Sequence, residues 1–480
     1  MGDRTRAKKN VIPMVPALTT YRAHMMLMTT LAILAVDFPI FPRALAKCET
    51  FGVSLMDIGV GSFVFSQGVV SALPVLKNPD HLYAYPLPKI MASARKVLPI
   101  LALGLIRVVL VKGVDYPEHV SEYGVHWNFF VTLAVLPVVQ TALDPLIARF
   151  SITSLGVLVA TAHQTTLSYL GGSHYILEAP RIGIISANKE GILSLPGYLS
   201  IHLLGLSLGT ILLPPDPNFL RKLRRRNQAS NDGKLKASSS DSEDDDEKVV
   251  SKAAATEREP GKTAIELCSY AIVWWTLLGL CQWTSVGGGV SRRMANLPYI
   301  LWVAAYNTTF ILGYFALDMW FFSPPSLSKL QSRSRPSRGS LQGQGYETTS
   351  PVRRSVTPEP QAWASTSTYA SAGKSSSSRR PAYARDDSRY ARLEIPPTPT
   401  VPVWDQSENS EEVRAPALLD AINRNGLMIF LLANLATGLV NLTMPTMYMS
   451  DGPAMTVLVG YSLALSAAAW FMRSRRIIKL

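Results

Sequence analysis

A chain of 480 residues carrying a formal charge of +13 and only three cysteines is long enough for one large fold or several small ones. Its composition narrows that choice. The lysines and arginines sit between apolar stretches and at the two ends of the chain, which is the pattern of membrane topology signals and excludes a nucleic-acid groove. Cys48, Cys268 and Cys281 have neither the pairing nor the spacing of a disulfide or zinc framework, so no metal is expected.

Stretches of about 18 to 23 apolar residues, each able to cross a hydrocarbon core roughly 30 Å thick, recur along the chain. They predict an all-α polytopic bundle of about ten transmembrane helices, over 23–42, 54–76, 91–112, 129–147, 152–170, 192–213, 265–284, 298–320, 427–447 and 454–472. The first run lacks a small-residue cleavage site and is read as a retained span, not a cleaved signal. Arg4, Arg6, Lys8 and Lys9 precede it, Arg221 to Arg226 follow the sixth span, and Arg473, Arg475 and Arg476 follow the last. An even number of spans puts all three clusters on one face, which the positive-inside rule makes cytosolic.

The expected organisation is therefore a cytosolic segment at 1–22, six spans in 23–213, a disordered cytosolic loop at 214–263, two spans in 264–322, a disordered Ser/Pro/Arg-rich cytosolic loop at 323–415, and two spans with a basic tail in 416–480. The composition of the two loops cannot compensate the entropy of ordering them. The sequons at Asn307 and Asn441 lie inside apolar runs and read as intramembrane polar groups.

Polar residues at the opposite, lumenal ends of the spans are the candidates for chemistry. Asp37 stands at the end of the first apolar run, and Pro39 and Pro42 break the helix after it. Arg43 and Lys47 are four residues apart and would share one face of a short helix, bringing Lys47 within reach of Asp37. An interfacial ion pair with snorkelling basic side chains explains the same spacing. Before the fourth span come His126, Trp127 and Asn128, an acid or base beside an interfacial anchor, or a structural histidine in an aromatic belt. Asn188, Lys189 and Glu190 in the next loop suit recognition of a polyol, and helix capping also accounts for them. His163 and Gln164, within the fifth span, read as interhelical hydrogen-bonding groups. Arg292, Arg293 and Asn296 follow in the fourth lumenal loop, where two arginines can hold a phosphate or anchor a headgroup. Gly287 to Gly289 has no following lysine and is no nucleotide loop. Neither a GxSxG elbow nor an HExxH motif occurs, and Cys48 reads as an inert, half-buried thiol.

Asp37 to Arg43, continuing through Ala46 to Thr50 and Gly52 to Phe65, closely resembles the glycosylphosphatidylinositol (GPI) inositol acyltransferases. The resemblance continues in Gly124 to Phe130, Asn188 to Gly191, Arg292 to Tyr299 and Asn434 to Met444, and omits only the two low-complexity loops. It implies a multi-pass enzyme of the endoplasmic reticulum that uses no resident cofactor. The enzyme would move a palmitoyl-like group from acyl-CoA, its co-substrate, to the inositol 2-hydroxyl of glucosaminyl-phosphatidylinositol. It places Asp37 and Lys47 at the catalytic dyad. Arg43, His126, Trp127, Asn128, Asn188, Lys189, Arg292, Arg293 and Asn296 become candidates for binding the two substrates. It also implies about three further spans ahead of Asp37 that are not in this chain. The alternative from another class is a lipid transporter or scramblase, which would use the same broken helices and intramembrane polar groups.

Overall fold

The computed structural model describes residues 15–77, 82–112, 120–214, 216–222, 225, 259–322 and 415–476. Most of the two long loops expected to be disordered lies outside these residues, as does the basic segment at 1–14. The rest is a helical bundle. Its helices are α1 (Pro16–Ala35), α2 (Ile58–Lys77), α3 (Pro86–Lys112), α4 (Val120–Tyr123), α5 (Phe129–Arg149), α6 (Ile152–Tyr169), α7 (Gly172–Glu178), α8 (Ile184–Ala187), α9 (Lys189–Leu212), α10 (Pro260–Trp283), α11 (Leu297–Phe322), α12 (Ala417–Arg424), α13 (Gly426–Thr443) and α14 (Asp451–Phe471).

The ten long helices α1, α2, α3, α5, α6, α9, α10, α11, α13 and α14 answer to the ten expected spans. Seven helices are long and apolar enough to cross a membrane; α1, α3 and α6 fall short in apolarity, each carrying a run of polar or basic side chains such as Arg22 and His24 in α1 or Arg95, Lys96 and Arg107 in α3. The fold is thus an all-α polytopic bundle. Boundaries agree to within a few residues except at α1, which begins at Pro16 and stops at Ala35. Proline is pre-shaped for the first helical turn, and the Pro39 and Pro42 corner ends the helix well before residue 42.

Helix α9 is the axis of the bundle, with every residue from Ser200 to Leu212 buried. Its contact with α2 depends on absent side chains. A Cβ on Gly205 would lie 2.2 Å from the Phe65 carbonyl oxygen, one on Gly209 2.3 Å from that of Val69, and one on Gly68 2.1 Å from that of His202. Small residues let the two backbones approach, the usual source of helix association where lipid removes the hydrophobic drive. Helices α10, α13 and α14 lie outermost and turn large apolar side chains outward, including Ile265, Leu439, Leu442 and Leu463. Buried polar pairs tie helices together inside the bundle: His202 Nε2 to Gln140 Oε1 at 2.7 Å, His163 Nε2 to the Met294 carbonyl at 2.9 Å, and the Leu297 amide to Gln164 Oε1 at 2.9 Å. Gln164 joins α6 to the first residue of α11, as expected, whereas His163 bonds to the loop that precedes α11.

Candidate functional site

Because the long helices alternate in direction, the segments 36–57, 120–128, 170–188, 284–296 and 444–450 all emerge at one face of the bundle. Every candidate residue of the sequence lies there. At the corner after α1, Asp37 Oδ2 accepts a hydrogen bond of 2.8 Å from Asn441 Nδ2 near the end of α13. Arg43 closes the same corner by donating from Nη1 to the Val36 carbonyl at 2.6 Å.

The expected shared helix face of Arg43 and Lys47 does not form. The 3₁₀ turn spans only Arg43–Leu45, and Ala46 is already extended at φ −69°, ψ 159°. Lys47 instead sets its ammonium 3.4 Å from Glu122 Oε1. Among the described residues no ion pair joins it to Asp37; Asn441, not Lys47, orients that carboxylate.

Beneath this rim is a buried charged layer. Asp57, fully buried, caps the start of α2: its Oδ2 accepts from the amides of Ser54 at 2.8 Å and Cys48 at 3.0 Å, while Oδ1 lies 2.6 Å from Arg292 Nε. Arg292 Nη2 also approaches Glu122 Oε1 at 3.3 Å, so Glu122 joins Arg292 to Lys47. Burial opposes the charge on Arg292, but Glu122, Tyr123, Tyr198 and Asp57 outweigh it and hold the guanidinium above the ordinary arginine range. The segment bearing Lys47 is thereby pinned from below. Burial, and next the charge of Asp57, push the Cys48 thiol up.

A second cluster surrounds Glu190, which is also fully buried. Arg181 grips it bidentately at 2.6 and 2.8 Å, and Arg293 Nη2 adds a contact of 2.8 Å. Lys189 donates to the Ala179 carbonyl at 2.5 Å. With one carboxylate among three cations, the cluster is positive.

The remaining candidates fall into two groups. Asn128 caps α5 by accepting from the Val131 amide, and it donates to the Gly104 carbonyl at 2.8 Å. Asn188 accepts from the His126 amide at 2.7 Å and donates to the Ile184 carbonyl. Fully buried Asn296 accepts from the Ser291 and Tyr299 amides and donates to the Gly289 carbonyl at 2.7 Å. Trp127 donates to Thr132 Oγ1 at 2.9 Å and packs where Gly191 has no side chain. These four have their polar atoms engaged within the chain. Asp37, Arg43, Lys47 and the exposed His126 side chain are at the accessible rim.

Sequence reasoning passed over Asp57, Glu122 and Arg181, and it read Glu190 as a group for a polyol or a helix cap, not as the buried partner of two arginines. A signal for Asp57 was present: Ser54-Leu55-Met56-Asp57 has capping-box spacing at the head of an apolar run.

Two of the clefts formed by the described residues enter the bundle. The larger, about 550 Å³, lies between α1, α2, α5 and the α12–α13 corner, lined by Arg22, Met26, Phe63, Gln67, Ser71 and Asn423 among others. The smaller, about 310 Å³, lies between α6 and α9. On α2 and α5, phenylalanines stand between the larger cleft and the polar layer. Phe63 meets Phe129 and Phe430 edge-on at 6.1 and 6.5 Å, and Phe130 meets Phe430 at 6.1 Å.

The family model described as GWT1 matches residues 2–358 and 389–472. GPI-anchored wall transfer protein 1 of Cryptococcus neoformans var. grubii is 40% identical over 481 residues, covering 96% of this chain and 63% of its own length. The proteins of that name from Aspergillus fumigatus and Candida albicans are 36% and 31% identical, over 95% and 98% of this chain and 72% and 77% of theirs. The chain therefore spans 63% of the length of the cryptococcal relatives. With matches this extensive, running through every span and through the corner that carries Asp37 and Lys47, the chain belongs to the GWT1 family.

Proposed function

We propose that this chain acts in GPI-anchor biosynthesis as an acyl-CoA-dependent inositol O-acyltransferase of the endoplasmic reticulum membrane. Its acceptor is the inositol 2-hydroxyl of glucosaminyl-phosphatidylinositol. The names of its relatives and the family resemblance at Asp37 to Phe65 support the pathway. The observation that carries the chemistry is the corner after α1, where a carboxylate fixed by Asn441 leaves its second oxygen, Oδ1, without a hydrogen-bond partner among the described residues.

Acyl transfer needs a base for the hydroxyl, a thioester held beside it and a charge opposite the developing oxyanion. Asp37 takes the inositol proton through Oδ1. Lys47, tethered to Glu122 rather than to Asp37, stabilises the negative charge on the thioester oxygen as the inositol oxygen bonds to the acyl carbon; the carbon–sulfur bond then breaks, and coenzyme A leaves as its thiol with the proton that Asp37 returns. Lys47 keeps nearly half of its side-chain surface exposed, so it can reach a substrate. His126, Arg43 and the positive cluster of Arg181, Lys189 and Arg293 meet the hydroxyls and phosphate of the glycolipid. The fatty chain needs only apolar surroundings, since each buried CH₂ contributes about 0.8 kcal/mol.

General base catalysis typically supplies about 10²- to 10⁴-fold. Asp37→Asn, which keeps an acceptor for Asn441, is expected to lower turnover by at least about 100-fold with the thermal unfolding midpoint unchanged. The assay is release of free coenzyme A thiol on adding glucosaminyl-phosphatidylinositol to the purified protein. Undiminished thiol release would remove Asp37 from the mechanism, and no release by the unaltered chain under any acceptor would remove the acyltransferase reading.

A further inference from the structure

The backbone around Lys47 is fixed before its side chain is. On one side Ser54 Oγ donates to the Leu45 carbonyl at 3.0 Å, and on the other the Cys48 amide donates to Asp57 Oδ2 at 3.0 Å. Both ties run to the head of α2. The 3₁₀ turn has already ended at Leu45, so no helical neighbour stacks against Lys47. What these bonds leave free is its flexible four-carbon stem, which by itself gives the ammonium no set position.

Glu122 supplies that position. A surface ion pair seldom holds a lysine in one place, but this carboxylate is not at the surface. Only 17% of the Glu122 side chain is exposed, and the oxygen that faces Lys47 at 3.4 Å also faces Arg292 Nη2 at 3.3 Å. Arg292 is in turn buried and anchored through Nε to Asp57. The short helix α4 that carries Glu122 is tied down just beyond it. The Val125 amide donates to the Ala187 carbonyl at 3.0 Å and the His126 amide to Asn188 Oδ1 at 2.7 Å. Gly124, at φ +117°, lets the backbone of Asn188 approach so closely that a Cβ would lie 2.5 Å from its Cα. Asp57, Arg292, Glu122 and Lys47 thus form a chain of alternating charge that begins in the interior and ends at an accessible ammonium.

We propose that Glu122 is the positioning residue for Lys47 in acyl transfer: it touches no reacting atom, and its carboxylate holds the ammonium where the thioester oxygen gains charge. This role rests on the acyltransferase reading above, in which Lys47 meets that oxygen. A charge opposite an oxyanion is most effective when it is in place before the oxyanion forms, and a misplacement of about 1 Å can cost about 100-fold in rate. Fastening the segment at 46–54 does not require the pair, because the Ser54 and Asp57 bonds already do so. Asp37 has its own orienting partner in Asn441. Base and cation are therefore aimed by separate elements, α13 and α4, and the aim of one can be disturbed without the other.

The test measures kcat and KM for thiol release by the full chain in detergent micelles, with palmitoyl-CoA and glucosaminyl-phosphatidylinositol as substrates. Glu122→Gln keeps the shape of the side chain and leaves Arg292 paired with Asp57. It is expected to lower kcat by about 10- to 100-fold, with both KM values within about twofold of wild type. Lys47→Gln and the double variant Glu122→Gln/Lys47→Gln are expected to share one kcat, because without Lys47 there is nothing left for Glu122 to position. A merely structural Glu122 would instead make the two losses multiply. Should Glu122→Gln fold poorly, Glu122→Asp carries the same comparison, with the carboxylate drawn back by one CH₂ and kcat lowered at constant KM. Wild-type kcat in the Glu122 variants, or multiplying losses in the double variant, would overturn the positioning role while leaving the acyltransferase reading in place. A raised KM at unchanged kcat would make Glu122 a substrate-binding group and also overturn it. Undiminished turnover in Lys47→Gln would remove Lys47 from the mechanism and this role with it, and a wild-type chain that releases no thiol would overturn both readings.

Discussion

Cys48 follows the candidate lysine directly, yet its thiol is held protonated by burial and then by Asp57, conditions opposite to those that make a cysteine nucleophilic. Cys48→Ser should therefore keep near wild-type acyl transfer, and Cys48 in the native chain should alkylate slowly at neutral pH; rapid labelling with parallel loss of activity would reinstate it as a nucleophile. Arg292 is the opposite case, a group whose partners are all inside. Arg292→Leu leaves Asp57 buried without its cation, a change that costs about 3–5 kcal/mol, and should appear as a lower unfolding midpoint or poor recovery of monodisperse protein. The double variant Asp57→Asn/Arg292→Leu should recover part of that loss. The sequence exposed these residues unequally. The corner that carries Asp37 was legible because two prolines at the end of an apolar run must break the helix, while a role for its carboxylate came only from the family resemblance. The pairing of Arg292 with Asp57 and Glu122 was not, because it joins loops far apart in the chain and no local spacing encodes it. Arg22 was missed through a boundary: a first span drawn from Ala23 leaves it outside, and Pro16 at the head of the helix draws it in.

Seven of the ten long helices meet the length and apolarity a span needs whatever it packs against, whereas α1, α3 and α6 carry more polar side chains. What hydropathy could not convey is which spans touch. Helices α9 and α10 have similar apolar content, yet α9 is enclosed by protein and α10 is mostly exposed. The difference is in small residues, Gly205 and Gly209 on one side and Gly68 on the other, which only a contact map turns into an interface. Gly205→Val would drive a branched side chain into the Phe65 carbonyl, with nothing flexible to yield. It should lower the unfolding midpoint measurably by about the 1–3 kcal/mol of an overpacked core, whereas Gly279→Val on α10, where a Cβ meets open space, should leave it nearly unchanged. Equal midpoints for the two variants would deny α9 its axial role.

For the molecule as a whole, the alternation of ten long helices places the corner after α1 and the short joint between α5 and α6 on opposite faces. With the three native cysteines replaced, Ala44→Cys and Ser151→Cys in sealed microsomes should react with an impermeant maleimide from opposite sides, Ser151→Cys from outside and Ala44→Cys only after permeabilisation. Labelling of both from one side would break the bundle's topology. The alternation itself was readable from the number of spans, although that number needed all ten helices, three of which are too polar to count by hydropathy alone. The arrangement also has a hazard built into it. A cleft bearing a cation opens from one leaflet, a layer of ionised side chains fills the other, and on α2 and α5 the phenyl rings around Phe63 and Phe130 lie between the two. Rings in such a constriction repel water, and a dry gap of this kind stops ions. The same four side chains that pack the bundle thus set an apolar layer between the cleft and the charged rim.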